Sequence, residues 1–554
     1  MSSTNDSFVT QWRRPPLRSL MPSVLPAVLL AAFALFSLPA PADDVKPFRV
    51  TLPTVSGPIS STVSDFPFIA DGFDVEPPVP EGYVEEEFFV SGVGNLYEYT
   101  PTGIEIVTPC PAATASLGCS NIAYTTRMIV KRPIQRHKFS GTVIIEALNP
   151  SANFDIAGVW DRSVDYFVRN GDIFVGWSSK SVTVNTLKNW NPARYAALNW
   201  RYMPFTPGGN SGVYDGITFD IAAQIGALFK TNGPKSPIHD YKVRRVFEAG
   251  FSQDGSFTFT QAEVFHALER MPDGGPIYDG YVPGGTTGPS NINFGLTTAG
   301  ALPAGDPRHQ MQPRDAPVIH TNTETEIALG TLSPTGLAYR RADSDNRNDR
   351  YRLWEVPGGS HVSNDTNASV ITLQRNLAEL QRISPADLAP VGCFHQQFVN
   401  GPSTGVPGFV DPNPFPFAFV VNAAFHDLTQ WVDFNIPPPR AGRIDVDTST
   451  TPPTVVRDAF GNALGGVRTP FLDVPTATYF PTDTVAHTTA FSGFCILYGY
   501  SEPFEDAMLD SLYRNHGEYV ARVVRDSFKL VGERFWLLPD AIDVITRAAH
   551  APIP

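Results

Sequence analysis

Gly250-Phe251-Ser252-Gln253-Asp254-Gly255 is the stretch on which the reading of this chain turns. Arg245-Val246-Phe247-Glu248-Ala249 runs into it as an apolar strand pattern, and Phe257, Gln261, Val264, Phe265 and Leu268 follow at roughly helical spacing. A serine on a tight strand-to-helix turn is the layout of a nucleophile elbow, in which a strained backbone leaves Oγ exposed at the top of a sheet. Small residues must flank such a turn because strand and helix pass very close. Gly250 and Gly255 meet that need, whereas Asp254 stands where the usual pattern has glycine. The plain alternative is an ordinary strand-loop-helix connection, so the remainder of the chain has to decide.

Outward from the elbow, strand-like and helix-like segments alternate. On the amino-terminal side, residues 85–100 and 123–131 read as strands, 143–148 as a buried strand, 160–169 as a helix stopped by Asn170-Gly171, and 173–177 as a second buried strand. Residues 181–215, rich in Trp, Asn, Pro and Gly, read as a loop, and Ile217, Ile221, Ile225, Leu228 and Phe229 mark an amphipathic helix. Beyond the elbow, 278–282, 317–320 and 352–356 read as three more short strands. Such alternation implies right-handed crossovers and a mostly parallel sheet, whose sites form at the carboxyl ends of the strands. After residue 365 the character changes: helices are expected at 373–382, 423–434 and from about 502 to 549, with a loop-rich 440–492 between. This third carries no obvious chemistry and reads as packing and a cap over the sheet. The expected organisation is a signal peptide at 1–42, an extended lead-in at 43–84, a core at 85–365, and a carboxy-terminal extension at 366–554 packed on the core.

A serine is a weak nucleophile at neutral pH and needs a base, which in turn needs an orienting carboxylate. His361 is the candidate base, directly past the last strand on the glycine-loosened Pro357-Gly358-Gly359-Ser360 turn. The carboxylate is expected after the preceding strand, where Thr323-Glu324-Thr325-Glu326 offers two candidates; Glu326 is preferred and Glu324 is the alternative acid. The chain order Ser, Glu, His matches the order for this architecture. Backbone N–H groups facing a developing oxyanion are expected from Gln253, at the start of the helix, and from Asn149 in the turn after the 143–148 strand, with Ser151 open and Pro150 excluded for lack of an N–H.

The 554 residues carry 42% hydrophobic and 12% aromatic side chains, enough for a large core and against general disorder. The formal net charge is −14; residues 1–42 hold three arginines and Asp6, so without them the count is about −16, which argues against nucleic acid or an anionic membrane as partners. Arg13, Arg14 and Arg18 ahead of an apolar run from Val24 to Leu38, then Ala40-Pro41-Ala42, read as a secretion signal, with an uncleaved anchor as the alternative. The expected location is therefore exported, periplasmic or extracellular, with no stable membrane span after cleavage. Four cysteines fit two disulfides: Cys110 with Cys119, which are close in sequence, and by default Cys393 with Cys495. There is no dinucleotide or P-loop glycine pattern, no His-Glu-x-x-His and no Cys-x-x-Cys, so neither cofactor nor metal is expected.

Several segments together resemble an α/β-hydrolase-domain family of predicted serine esterases, whose elbow reads Gly-x-Ser-Gln-Ser. They are Gly141 through Asn149, Asn191-Pro192-Ala193-Arg194-Tyr195-Ala196-Ala197-Leu198, Tyr214-Asp215-Gly216 with Phe219-Asp220-Ile221, Gly250-Phe251-Ser252-Gln253, Thr323 through Glu326, and Gly461-Asn462-Ala463-Leu464-Gly465-Gly466-Val467-Arg468 with Pro470. The resemblance runs from about residue 85 to the end and implies an α/β-hydrolase fold with a serine-hydrolase site on Ser252 and His361, and less securely on Glu326. Asp254 departs from the family's small serine; as a carboxylate it either acts on the His361 charge or points to solvent. The expectation is an exported enzyme cleaving a small-molecule carboxylic ester, with the aromatic-rich 181–215 loop and the cap shaping a pocket for an apolar or aromatic ester. A serine peptidase or amidase, and a catalytically silent binding protein on the same scaffold, stay open as alternatives.

Overall fold

A computed structural model describes residues 48–60, 79–101, 103–110, 118–201, 215–292, 301–363, 411–483 and 496–553. At its centre is a ten-stranded sheet. In chain order its strands are β1 (Thr54–Ser56), β2 (Tyr83–Gly94), β3 (Ile122–Pro133), β4 (Thr142–Leu148), β5 (Ile173–Ser178), β6 (Arg245–Phe251), β7 (Gly280–Gly284), β8 (Val318–Thr323), β9 (Ser344–Asn346) and β10 (Asp349–Val356). Across the sheet they run β9-β10-β8-β7-β6-β4-β5-β3-β2-β1. The block from β10 to β5 is parallel throughout, while β1, β2, β3 and β9 pair antiparallel. This is a mostly parallel α/β-hydrolase sheet with an antiparallel margin, to which the lead-in contributes the edge strand β1.

Helices cover both faces: α1 (Gly158–Asn170), α2 (Ser181–Trp190), α3 (Thr218–Thr231), α4 (Gln253–Thr260), α5 (Glu324–Gly330) and α6 (Phe417–Phe434). β4 to β8 are buried along their whole length, and β4 and β5 accordingly read as nearly continuous apolar runs, while β8 buries His320, Thr321, Asn322 and Thr323. Side-chain alternation still sorts each strand between two cores. Val143, Ile145 and Ala147 of β4 join one layer with Trp177, Phe219 and Phe265. Ile144 and Leu148 face the other, with Trp160, Phe167, Phe247 and Trp354. The extension packs on this second layer, for example through Phe425 of α6, 5.0 Å between ring centroids from Phe167. Its last helices are α7 (Asp506–Leu512), α8 (His516–Glu533) and α9 (Leu538–His550).

The expected loop at 181–215 begins instead as α2. Asp215, 34 residues away in sequence, accepts the Ser181 N–H at 2.8 Å and so satisfies a donor at the helix start, while Val184 and Leu187 are buried beneath. A cap supplied from that distance leaves no local signal. Cys110 and Cys119 are disulfide-bonded; Cys393, Cys495, the leader and the expected 373–382 helix lie outside the described residues. Among the described residues no helix is long and apolar enough to cross a membrane.

Register lines up the strand ends that matter. Phe251 is opposite Gly284 and Thr323 is opposite Val356, so Ser252, Gly285, Glu324 and Pro357 start their loops along one rim. β5 lies on one side of β4 and β6 on the other, which makes a crevice at the carboxyl ends of β4 and β6 where chain direction switches.

Candidate active site

Ser252 sits in that crevice with φ 68° and ψ −124°, a conformation of the kind that costs a non-glycine residue about 1–3 kcal/mol. Backbone contacts hold it there. Its N–H donates to Gly284 O at 3.0 Å, and its carbonyl accepts from Ser256 N at 3.0 Å as α4 begins. A Cβ at position 250 would collide with Asp254 O and come within 2.7 Å of Thr258 Oγ1; one at position 255 would collide with Gly284 O. Thus it is Gly255 that lets the helix pass β7, one residue later than the usual pattern.

Asp254 turns the other way. It is 2% exposed, so it does not point to solvent, and its electrostatic neighbours are Glu146, Lys180 and Asp155. Burial holds its carboxyl well above the usual range; Glu146 and Asp155 add to that and Lys180 opposes it. The departure at 254 therefore places an acid under the elbow and leaves the space above Ser252 clear. Glu146, in β4, is likewise pushed up by burial, to about 8, against the lowering effect of the Val159 and Trp160 N–H groups it accepts at 2.8 and 3.3 Å.

His361 Nε2 lies 2.7 Å from Ser252 Oγ, and its Nδ1 lies 2.5 Å from Glu326 Oε1. A carboxylate at Nδ1 fixes the proton there, leaving Nε2 as the acceptor for the serine hydroxyl. The other oxygen of Glu326 accepts from Thr323 N at 2.7 Å and Thr323 Oγ1 at 2.6 Å, closing a capping box at the start of α5. Burial acts to raise the Glu326 carboxyl, but His361 and Thr323 together hold it below its ordinary value, so it stays ionised.

Glu324, the other candidate acid, is also fully buried, and it faces the base's loop. It accepts from Gly358 N at 2.7 Å and from Arg457 Nη2 at 2.8 Å, while its own N–H donates to Gly359 O at 3.1 Å. The structure thus brings Ser252, His361 and Glu326 together and gives Glu324 the job of shaping the turn that carries His361.

Further residues that the sequence did not single out complete this turn. Thr325 Oγ1 accepts the His361 N–H at 2.9 Å and donates to Pro481 O at 2.5 Å. Asn413 donates to Gly358 O at 2.7 Å. Arg162, in α1, donates to His361 O at 2.9 Å, with its guanidinium 3.6 Å over the Phe251 ring and that ring 4.9 Å from the imidazole. Nothing in the local pattern around Asn413, Arg457 or Arg162 marks them, because each acts on a loop distant in sequence. The specific glycine-rich segment docks here too: Val467 N donates to Glu355 O at 2.8 Å, and a Cβ on Gly466 would come within 2.5 Å of that same carbonyl.

The expected oxyanion donors fare unequally. Gln253 opens α4, where an N–H has no acceptor within its helix. Asn149 is corrected: its N–H is spent in a short antiparallel bridge, donating to Ile156 O at 2.7 Å, and its side chain donates to Phe251 O at 3.1 Å. The Ser151 N–H is taken as well, by Asn149 Oδ1 at 2.9 Å. Local turn chemistry competes for these donors, and no residue pattern around Asn149 signals it.

An open cleft of about 420 Å³ adjoins Ser252 and His361, lined from α4, the 285–289 loop, His309, α5 with the 333–336 turn, and Leu497. Among the described residues no Phe, Tyr or Trp lines this cleft and α2 does not reach it; residues 202–214 of the expected pocket loop lie outside the described residues. No cluster of three or more potential metal ligands occurs among the described residues.

No curated protein matches the chain by sequence. Among solved structures it is similar to acetyl xylan esterase 1 from Thermoanaerobacterium sp. JW/SL YS485 (11% identity, 55% of this chain and 81% of that one, TM-score 0.29). It is also similar to dienelactone hydrolase from Anabaena variabilis ATCC 29413 (10% identity, 46% and 90%, TM-score 0.26) and to a carboxylesterase from Lactobacillus plantarum WCFS1 (12% identity, 36% and 68%, TM-score 0.23). The family model described as "Alpha/beta hydrolase domain" matches residues 55–546, which take in the sheet, the elbow, both loops of the site and nearly all of the extension, and the chain belongs to that family.

Proposed function

We propose that this protein is an exported serine hydrolase that cleaves carboxylic esters through an acyl-enzyme. The observation that carries the reading is the continuous hydrogen-bonded line from Ser252 Oγ through His361 to Glu326, at 2.7 and 2.5 Å, with the serine on a strained turn at the floor of a cleft. In this reading Ser252 Oγ attacks the ester carbonyl as its proton passes to His361 Nε2. Glu326, kept ionised, holds the imidazole in its tautomer and stabilises the imidazolium. Positioned proton transfer of this sort contributes about 10²–10⁴-fold. The negative charge that forms on the carbonyl oxygen faces the Gln253 N–H at the start of α4. Collapse expels the alcohol with the proton from His361, and water repeats the sequence to release the acid. The leader pattern at residues 13–42 supports export.

The test is labelling of the purified protein by a fluorophosphonate, wild type beside Ser252→Ala, with p-nitrophenyl acetate hydrolysis in parallel. Labelling and turnover are expected in the wild type, with turnover reduced at least about 10³-fold and labelling abolished in the variant. A folded wild type that takes no label would contradict the proposal and favour a binding protein on a hydrolase scaffold.

A further inference from the structure

The chemistry of the cleft wall constrains what the site takes. Beside the catalytic side chains, the wall is made of hydroxyls, an amide and an imidazole: Ser256, Thr286, Thr287, Ser333, Thr335, Gln253 and His309, with Leu329, Leu497 and Pro289 as its larger apolar members. The Thr286 corner is built in advance of any ligand. Its hydroxyl donates to Gly288 O at 2.9 Å and accepts from Ser256 Oγ at 2.5 Å, its N–H donates to Asn322 Oδ1 at 2.9 Å, and its carbonyl accepts from Asn322 Nδ2 at 2.8 Å and His320 Nε2 at 3.1 Å. Asn322 and His320 are fully buried in β8, so the loop that presents these hydroxyls is anchored in the sheet. His309 Nε2 donates to Pro303 O at 3.1 Å, which leaves Nδ1 as an acceptor.

A site that reads a long acyl chain gains about fourfold in binding for each methylene it buries. Among the described residues, two leucines and a proline give a short acyl group a place, and no apolar wall continues from them for an extended one. Fixed hydroxyls and an imidazole acceptor, in contrast, reward a ligand that brings hydroxyls of its own and penalise one that leaves them unpaired. We infer, resting on the ester-hydrolase reading above, that the substrate is a short-chain ester of a hydroxyl-rich alcohol, a polyol or sugar ester. The acyl group lies by Leu329 and Leu497, and the alcohol's hydroxyls meet Ser256, Thr335 and His309.

The test compares p-nitrophenyl acetate, butyrate and octanoate with a hexose monoacetate and glycerol monoacetate, which keep their other hydroxyls free. For the wild type, kcat/KM is expected to fall at least about tenfold from acetate to octanoate, with acetate released from the hexose and glycerol esters. An octanoate rate equal to or above that of acetate, or no release from either polyol ester, would overturn the inference. Calorimetric titration of the Ser252→Ala protein separates this claim from the one it rests on, because it needs no turnover. Saturable binding of the acetylated hexose, with none of methyl octanoate, is expected even if the wild type proved inert, and the opposite preference would sink the substrate class alone. In a Ser333→Leu, Thr335→Val double variant the octanoate-to-acetate ratio of kcat/KM should rise at least about threefold. An unchanged ratio would remove this wall from substrate recognition.

Discussion

The turn that carries Ser252 and the turn that carries Glu326 stand on the same rim of the sheet but are held by different means. At the elbow the constraint is backbone against backbone: Gly255 beneath Gly284 O, Gly250 beneath Asp254 O, and Ser252 N–H on Gly284 O. At the acid turn the constraint is a web of side chains. The Thr323–Glu326 capping box, Glu324 on Gly358 and Arg457, and Thr325 on His361 and Pro481 tie three separate parts of the chain together. The first device is local and depends on glycines at fixed spacing. The second is assembled across more than a hundred residues, so two adjacent-looking glutamates end with different work.

That difference can be broken experimentally, beginning with the largest effect. Glu326→Gln keeps the shape of the acid turn but removes the charge that holds the His361 tautomer, so kcat should fall by about 10²–10⁴-fold with little loss of stability. Glu324→Gln should leave kcat within about tenfold of wild type and instead lower the melting temperature, because Arg457 loses its buried partner. Steady-state kinetics and thermal melts on the two variants check this; equal kinetic losses would mean that the two carboxylates share one role.

Gly255→Ala probes the elbow. Its methyl has no room against Gly284 O, so destabilisation of about 1–3 kcal/mol or more is expected, read as a drop in denaturation midpoint. A variant as stable as wild type would show that the strand-helix approach is looser than described.

The smallest effect concerns the acid layer beneath the elbow. Glu146 is raised by burial from 4.5 to about 8, so the stability it contributes is full below about pH 4.5 and is lost as pH rises through about 8. Asp172 and Glu263, raised by burial to about 6 and about 7, act in the same direction. Wild-type melting temperature should therefore decline across that window, and Glu146→Gln should flatten part of the decline. Parallel curves for the two proteins would remove Glu146 from the linkage.

What the sequence revealed follows the same division. Apolar runs at 143–148, 173–177 and 245–249 announced β4, β5 and β6, because strands buried on both faces need no polar alternation. Gly250, Ser252 and Gly255 announced the elbow through their spacing, and position after a strand led to His361. The sequence could rank Glu326 above Glu324 only by counting from the strand, since what separates them is Arg457, far along the chain. Asn149 offers no backbone donor because its N–H answers to Ile156 in a local bridge, and the start of the 181–215 segment carries no local helix signal because its cap is Asp215. Asn413 and Arg162 were invisible for the same reason, being neighbours of His361 only in three dimensions.

The most direct test of the account is to find where a fluorophosphonate adduct lies, by proteolysis and mass spectrometry of the labelled wild-type protein. The account predicts one modified peptide, containing Gly250 to Gly255 with the adduct on Ser252, and its loss when His361 is replaced by Ala. An adduct on another residue, or labelling that persists undiminished without His361, would contradict the claim that Ser252 is the nucleophile and His361 its base.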